Sequence, residues 1–284
     1  MSITRVGIVG SGIMGAGIAE VAAASGHEVV LRSRTKGGAD AMVAGLAKSL
    51  GKQVEKGKRT EAEAAEISGR VRATAHLGDL VDVDLVIESV VEDLAVKKEL
   101  FAELDSVCKP ETILATNTST LPVVEMAMAT GRPDLVCGVH FFNPAPAMAL
   151  VEVVRPITAA DSTVEAAIAF AAACGKDPVE VKDQAGFIVN ALLFPYLNNA
   201  VRLYESGVAS KEGIDAAMKG GCGFPMGPFA LLDLVGLDTS LAILDALYDE
   251  YRDPNYAAVP LLRRLVASGQ LGRKTKKGFY DYSG

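Results

Sequence analysis

His140 and Glu152 stand twelve residues apart, and their types suit proton transfer. His140 closes the apolar run "LVCGVH" and Glu152 lies within "ALVEVVR", so two adjacent strands would bring imidazole and carboxylate together. An imidazole oriented by a carboxylate takes up and returns a proton near neutral pH, and the carboxylate fixes which ring nitrogen faces a substrate. That chemistry fits an alcohol that loses a proton as it gives up hydride. Ser119, in "LATNTSTLP" at the end of another apolar run, is a candidate donor to the reacting oxygen. The same Asn117, Thr118 and Ser119 can equally make a turn and cap a helix.

A hydride needs an acceptor, and "GIVGSGIMGAGIAE" supplies the turn for one. Gly10, Gly12 and Gly15 form G-x-G-x-x-G between a strand and a helix, with Ile13 and Met14 inside the turn. The first glycine permits the tight turn, the second admits a pyrophosphate to the backbone, and the third lets helix and strand pack closely. The plain alternative is a glycine-rich packing turn. A dinucleotide unit holds its adenosine ribose with an Asp or Glu about twenty residues further on. In "VVLRSRT" that place holds Ser33, flanked by Arg32 and Arg34. Ser33 can donate to a ribose 2′-phosphate and Arg34 can pair with it, which favours NADP(H) over NAD(H). If the two arginines are ordinary surface charge, NAD(H) binds with one contact fewer.

The elements that must hold these groups read as an α/β chain. Short β-rich runs alternate with helical patterns from the start to about Lys182: "ITRVGIV", "HEVVLRS", "RVRAT", "DLVIES", "TILAT", "LVCGVH", "ALVEVVR" and "PVEVK". This predicts a Rossmann-like, doubly wound, mostly parallel sheet. The charged stretch "KSLGKQVEKGKRTEAEAAEISG" predicts two antiparallel helices turning near Gly57 and projecting from the sheet. After "DQAGF" only helical patterns follow, placing a boundary near residues 183 to 186, with domains over 1–184 and 185–284. A net charge of −7 gives no general attraction to nucleic acid or to an anionic membrane. Cysteines 108, 137, 174 and 222 lack metal-site spacing and read as buried thiols of a reducing compartment. With no apolar run long enough to span a bilayer and no leader pattern, a cytoplasmic protein is expected.

Seven blocks, in order along the chain, carry a resemblance: "GSGIMGAGIA", "VIESVVEDLAVKKELF", "ATNTSTLP", "HFFNPAPAMALVEVV", "GFIVNALLFPYLNNA", "PMGPFALLDLVGLD" and "GRKTKKGFYDY". Together they resemble the short-chain L-3-hydroxyacyl-CoA dehydrogenase family, above all its bacterial members acting on 3-hydroxybutyryl-CoA. The resemblance implies that His140 is the base and Glu152 its partner, and that Ser119 and Asn190 hold the substrate oxygen. It also implies that Glu92, Lys97, Asn117 and Asn143 line the cofactor and active-site cleft. Ser49 and Lys56, on the projecting helical pair, match the family's CoA contacts. The implied reaction interconverts a (3S)-3-hydroxyacyl-CoA and its 3-oxo form, with 3-hydroxybutyryl-CoA and acetoacetyl-CoA the expected pair, and no metal. The implied assembly is a homodimer through the C-terminal helical domain.

Two departures from the family stand out: Ser33 replaces the usual Asp, and the loop before "PMGP" reads "GGCGF" where many relatives carry a polar residue or His near its end. Two other readings keep the fold. One is a dehydrogenase acting on a hydroxyacyl group tethered to a carrier protein in a polyketide extender-unit pathway. The other is a crystallin-like binding protein without turnover, against which the full set Ser119, His140, Glu152 and Asn190 argues.

Overall fold

Eight short strands, rich in Val, Ile and Leu, build one sheet in the computed structural model, which describes residues 3–284. They are β1 (Arg5–Val9), β2 (Glu28–Arg32), β3 (Val71–Thr74), β4 (Leu85–Glu88), β5 (Ile113–Thr116), β6 (Val136–Phe141), β7 (Leu150–Arg155) and β8 (Asp177–Lys182). Each falls on one of the runs read from the sequence. The order is β3-β2-β1-β4-β5-β6-β7-β8. Neighbours pair in parallel except β6 and β7, which are antiparallel. Strands β4, β5 and β6 are buried along their whole length, as strands covered on both faces must be. The fold is therefore the doubly wound, mostly parallel sheet that the sequence predicts. Its strand order reverses between β1 and β4, and the crevice beyond the carboxyl ends of those strands is where such sheets hold ligands.

The covering helices are α1 (Ile13–Ala24), α2 (Lys36–Glu55), α3 (Glu61–Gly69), α4 (Leu94–Val107), α5 (Val123–Ala127) and α6 (Asp161–Ala173). Helices α2 and α3 form the expected antiparallel pair, turning at Gly57, whose φ of 64° suits a residue without a side chain. Only the tip of the pair stands clear. Met42, Leu46, Leu50 and Ile67 on its inner face join the sheet's hydrophobic core, so its base is packed rather than projecting.

Contacts divide the chain after Asp183, and a second unit begins at Gln184. It holds α7 (Val189–Glu205), α8 (Lys211–Cys222), α9 (Pro228–Val235), α10 (Leu237–Tyr251) and α11 (Pro260–Ala267) around Phe194, Leu197, Phe229, Leu232, Leu244 and Leu262. Two buried carboxylates organise it. Asp215 accepts from the Phe229 and Ala230 amides at 2.8 and 3.1 Å, capping α9 from another helix. Asp233 accepts from the Phe279 and Tyr280 amides at 2.9 and 2.8 Å, and the Tyr280 hydroxyl donates to Asp215 at 2.9 Å. The terminal "KGFYDY" is thereby strapped down. A methyl on Gly278 would lie 2.0 Å from the Asp233 carboxylate, so only glycine fits there.

Three cysteines are buried, but Cys222 at the end of α8 is exposed, against the expectation of four buried thiols. Its helix ends in a run of glycines that bury nothing around it.

Candidate active site

The glycine turn has the geometry of a phosphate cradle. Gly10 adopts φ 137°, and a methyl there would come 2.1 Å from the Ser89 carbonyl oxygen. A methyl on Gly15 would meet the Gly10 carbonyl at 2.3 Å, so the third glycine is what seats α1 against β1. Gly12 differs, because nothing lies within 4 Å of a methyl built there. That open space, at the uncapped start of α1, leaves first-turn amides and the positive end of the helix facing a cleft of about 670 Å³. Ile13 is exposed beside it and Met14 is half-buried.

Arg32, Ser33 and Arg34 line the same cleft. Ser33 is only 4% exposed, and its hydroxyl packs against Gly38 in the first turn of α2. Arg34 is exposed. Arg32 keeps a buried Nε with no hydrogen-bond partner among the described residues. A buried guanidinium donor without a partner is costly unless something supplies an acceptor. The cradle and this donor together fit a phosphate-bearing dinucleotide.

The carboxyl ends of β4 and β5 carry a second, charged layer. Glu88 ends β4 fully buried and binds Lys97 of α4, itself 1% exposed, at 2.7 and 2.9 Å. Lys97 also reaches Glu92 at 3.2 Å. Glu92 in turn accepts from the Ser119 amide at 2.9 Å and from the Thr118 hydroxyl. Lys97 is thus enclosed between carboxylates, whereas Glu92 keeps 40% of its side-chain surface exposed. Glu88 and its partner Thr116, at 2.8 Å, escaped the sequence reading. The available signal was a carboxylate ending the buried run "DLVIES".

On the next strands the reactive pair forms as its spacing predicts. His140 lies directly opposite Glu152 in the β6–β7 ladder, with Nδ1 2.7 Å from Oε2. His140 is 5% exposed and Glu152 is fully buried. An ionised carboxylate only accepts, so against such a partner Nδ1 carries the proton of this contact. The Phe142 ring, 4.5 Å from the imidazole between centroids, packs against it. Asn117 fastens the neighbouring loop to this strand by accepting from the Phe141 amide at 2.8 Å, so its side chain holds the scaffold together. Ser119 lies two residues further along that loop and is half-buried. Asn143 is exposed in the connection between β6 and β7. Ser49 is half-buried on α2, and Lys56 is exposed at that helix's C-cap. Asn190 is buried near the start of α7 in the second unit.

A doubly wound sheet with a glycine cradle at its switch point, and a carboxylate-held histidine two strands away from it, defines a nicotinamide-dependent dehydrogenase. Residues 5–184 match the family model described as 3-hydroxyacyl-CoA dehydrogenase, NAD binding domain, and residues 186–282 match its C-terminal domain. The chain belongs to the 3-hydroxyacyl-CoA dehydrogenase family. It is 50% identical to a 3-hydroxybutyryl-CoA dehydrogenase of Clostridioides difficile over 98% of this chain and 99% of that one. It is 45% identical to the mitochondrial hydroxyacyl-coenzyme A dehydrogenase of Sus scrofa, over 99% and 91% of the two chains. Among solved structures, M. tuberculosis FadB2 is similar with a TM-score of 0.98 at 46% identity, each chain covered in full. The (S)-3-hydroxybutyryl-CoA dehydrogenase PaaH1 of Ralstonia eutropha is similar with a TM-score of 0.97 at 42% identity, again over both whole chains. Among the described residues, no helix is long and apolar enough to cross a membrane, and no cluster of side chains suits a metal ion.

Proposed function

We propose that the protein interconverts (3S)-3-hydroxyacyl-CoA and 3-oxoacyl-CoA thioesters, with 3-hydroxybutyryl-CoA and acetoacetyl-CoA as its principal pair and NADP(H) preferred over NAD(H). The observation that carries this reading is the 2.7 Å contact between His140 Nδ1 and the buried Glu152 carboxylate, which orients the imidazole as a carboxylate-held base. The bound nicotinamide supplies or accepts the hydride. The chain does the rest. In the oxidation direction His140 takes the hydroxyl proton while Glu152 stabilises the imidazolium that forms. In reduction the imidazolium returns that proton to the oxygen. Ser119 and Asn190 are proposed to hold the oxygen and stabilise its developing charge. Glu92, Lys97, Asn117 and Asn143 frame the nicotinamide end of the cleft. Gly10, Gly12 and Gly15, with Ile13 and Met14, hold the pyrophosphate. Ser49 and Lys56 contact the CoA moiety, and the C-terminal helical unit pairs two copies of the chain.

The NADP(H) preference is supported by the absent acid at position 33, by Arg34 in the open beside the cleft, and by the unpartnered Arg32 Nε. Its test compares kcat/KM for acetoacetyl-CoA reduction with NADPH and NADH, for the wild type and for Ser33→Asp/Arg34→Ala. A preference for NADPH of about tenfold or more, equivalent to about 1.4 kcal/mol, that falls in the variant is expected. Equal rates, or an NADH preference that the variant leaves unchanged, would assign the cofactor as NAD(H). Running the same assay with a carrier-protein thioester separates the CoA substrate from the tethered one.

A further inference from the structure

We propose that Glu88 and Lys97 form a buried positioning unit that acts through Glu92 to hold the Ser119 loop in the geometry that hydride and proton transfer require. The inference rests on the reading of Ser119 as a donor to the substrate oxygen. Glu88 accepts four hydrogen bonds from three donors: Lys97 Nζ at both oxygens, the Thr116 hydroxyl at 2.8 Å and the Val90 amide at 2.6 Å. The Val90 contact fixes the loop that follows β4. Lys97 carries the connection to Glu92, and Glu92 carries it across to the Thr118 hydroxyl and the Ser119 amide in the loop that follows β5. The Thr118 amide closes the circuit by donating to the Thr116 hydroxyl at 3.1 Å.

Stability alone does not account for this arrangement. Two carboxylates and one ammonium leave a net negative charge, and well-packed apolar side chains in place of a buried ion pair commonly serve stability as well or better. What the charged set adds is direction. Each bond has a preferred length and angle, so the Ser119 loop is tied to two strands at once, whereas apolar contacts would let it slide. A displacement of about 1 Å at a reacting centre costs about a hundredfold in rate, so a unit that removes this freedom acts on turnover without touching substrate.

The test uses Glu88→Gln, Glu88→Gln/Lys97→Met and Glu92→Gln, with kcat, KM for acetoacetyl-CoA and the Tm of the cofactor-free protein measured on each. Glu88→Gln should lower Tm and cut kcat tenfold or more, about the loss expected of a loosened site. Adding Lys97→Met removes a buried ammonium left with Glu92 as its one carboxylate partner, so Tm should return toward wild type while kcat stays low. Glu92→Gln alters a partly exposed carboxylate that is also proposed to stand at the nicotinamide, so KM for NADPH is measured beside that for acetoacetyl-CoA. Tm and both KM values should stay close to wild type while kcat falls about ten- to a hundredfold, and a KM for NADPH raised in step would trace the loss to cofactor contact and overturn the proposal. A kcat that recovers together with Tm in the double variant would make the pair merely structural and overturn the proposal. So would a wild-type kcat in Glu92→Gln, which decides the matter alone if Glu88→Gln does not fold. Ser119→Ala at full rate is a separate outcome: it would defeat the reading of Ser119 itself, and the proposal with it.

Discussion

Glu152→Gln is the sharpest perturbation of the reactive pair because it changes charge and leaves volume almost unchanged. Glu152 is fully buried, and its Oε2 lies 2.7 Å from His140 Nδ1. As the hydroxyl proton arrives, the imidazole becomes a cation, and the carboxylate's attraction for it grows with the transition state. For unit charges about 4 Å apart at an effective dielectric constant of about 20, that attraction is about 4 kcal/mol. The amide keeps a dipole and one hydrogen bond, which return about 1 kcal/mol of it. A net loss of about 3 kcal/mol corresponds to a fall of about 150-fold in kcat/KM. The amide can also present its NH₂ to Nδ1 and fix the wrong tautomer, which moves the loss upward. The assay is steady-state nicotinamide absorbance with acetoacetyl-CoA, alongside cofactor binding measured by fluorescence. Cofactor affinity should stay within threefold of wild type, about 0.7 kcal/mol, because the pair does not line the glycine cradle. A kcat/KM within about threefold of wild type would refute electrostatic support by Glu152.

The glycines should divide by role. Gly12→Ala leaves the fold intact and weakens cofactor binding by tenfold or more, about 1.4 kcal/mol, whereas Gly15→Ala destabilises the first unit by about 1–3 kcal/mol through its clash with the Gly10 carbonyl; calorimetry and cofactor titration separate the two, and identical behaviour would refute the division. Burial pushes the thiols of Cys108 and Cys174 up to about 11 and that of Cys137 up to about 12. One equivalent of a maleimide should therefore react with the native protein at Cys222, and reaction of a second before unfolding would contradict the burial. Burial, then the hydrogen bond to Asp215, raises the Tyr280 phenol above its ordinary range. A phenol raised in the folded state contributes stability that is full below its unfolded value near pH 10 and is lost as pH climbs beyond it. Tyr280→Phe should accordingly flatten the loss of stability above about pH 10, read from urea midpoints across that range, and an unchanged alkaline slope would exclude Tyr280 as its source.

What the sequence discloses here follows from the range of each interaction. The central strands were legible because strands buried on both faces need continuous apolar runs, whereas the partly exposed edge strands β3 and β8 showed as short segments in which apolar residues alternate with polar or charged ones. His140 and Glu152 were legible as a pair because both lie on predicted strands joined by one short connection, which makes antiparallel pairing the simple outcome. Glu88 was not legible. Nothing local distinguishes a carboxylate that ends a strand exposed from one that ends it buried, and its partner Lys97 comes from the following helix. The burial of Lys97 was not legible for the same reason: its spacing marks the helix, while its enclosure depends on how α4 packs. The missing acid at position 33 was plain, but the burial of the Ser33 hydroxyl against Gly38 depends on where α2 begins.

The antiparallel turn of the ladder at β6 and β7 has a consequence for how this chain can vary. Residues on one strand alternate between the faces of the sheet, so slipping β7 by a single residue would send the Glu152 carboxylate to the side away from His140. Four successive residues of β6, Gly138, Val139, His140 and Phe141, are each matched to a residue of β7, which holds that register. The connector itself is not uniform: Phe142 packs on the imidazole and Ala145 is buried in the core, while positions 146–149 are exposed. Side chains at those four positions can therefore change while the His140–Glu152 pair stays in step, which makes them a natural place to vary the chain without rebuilding the pair.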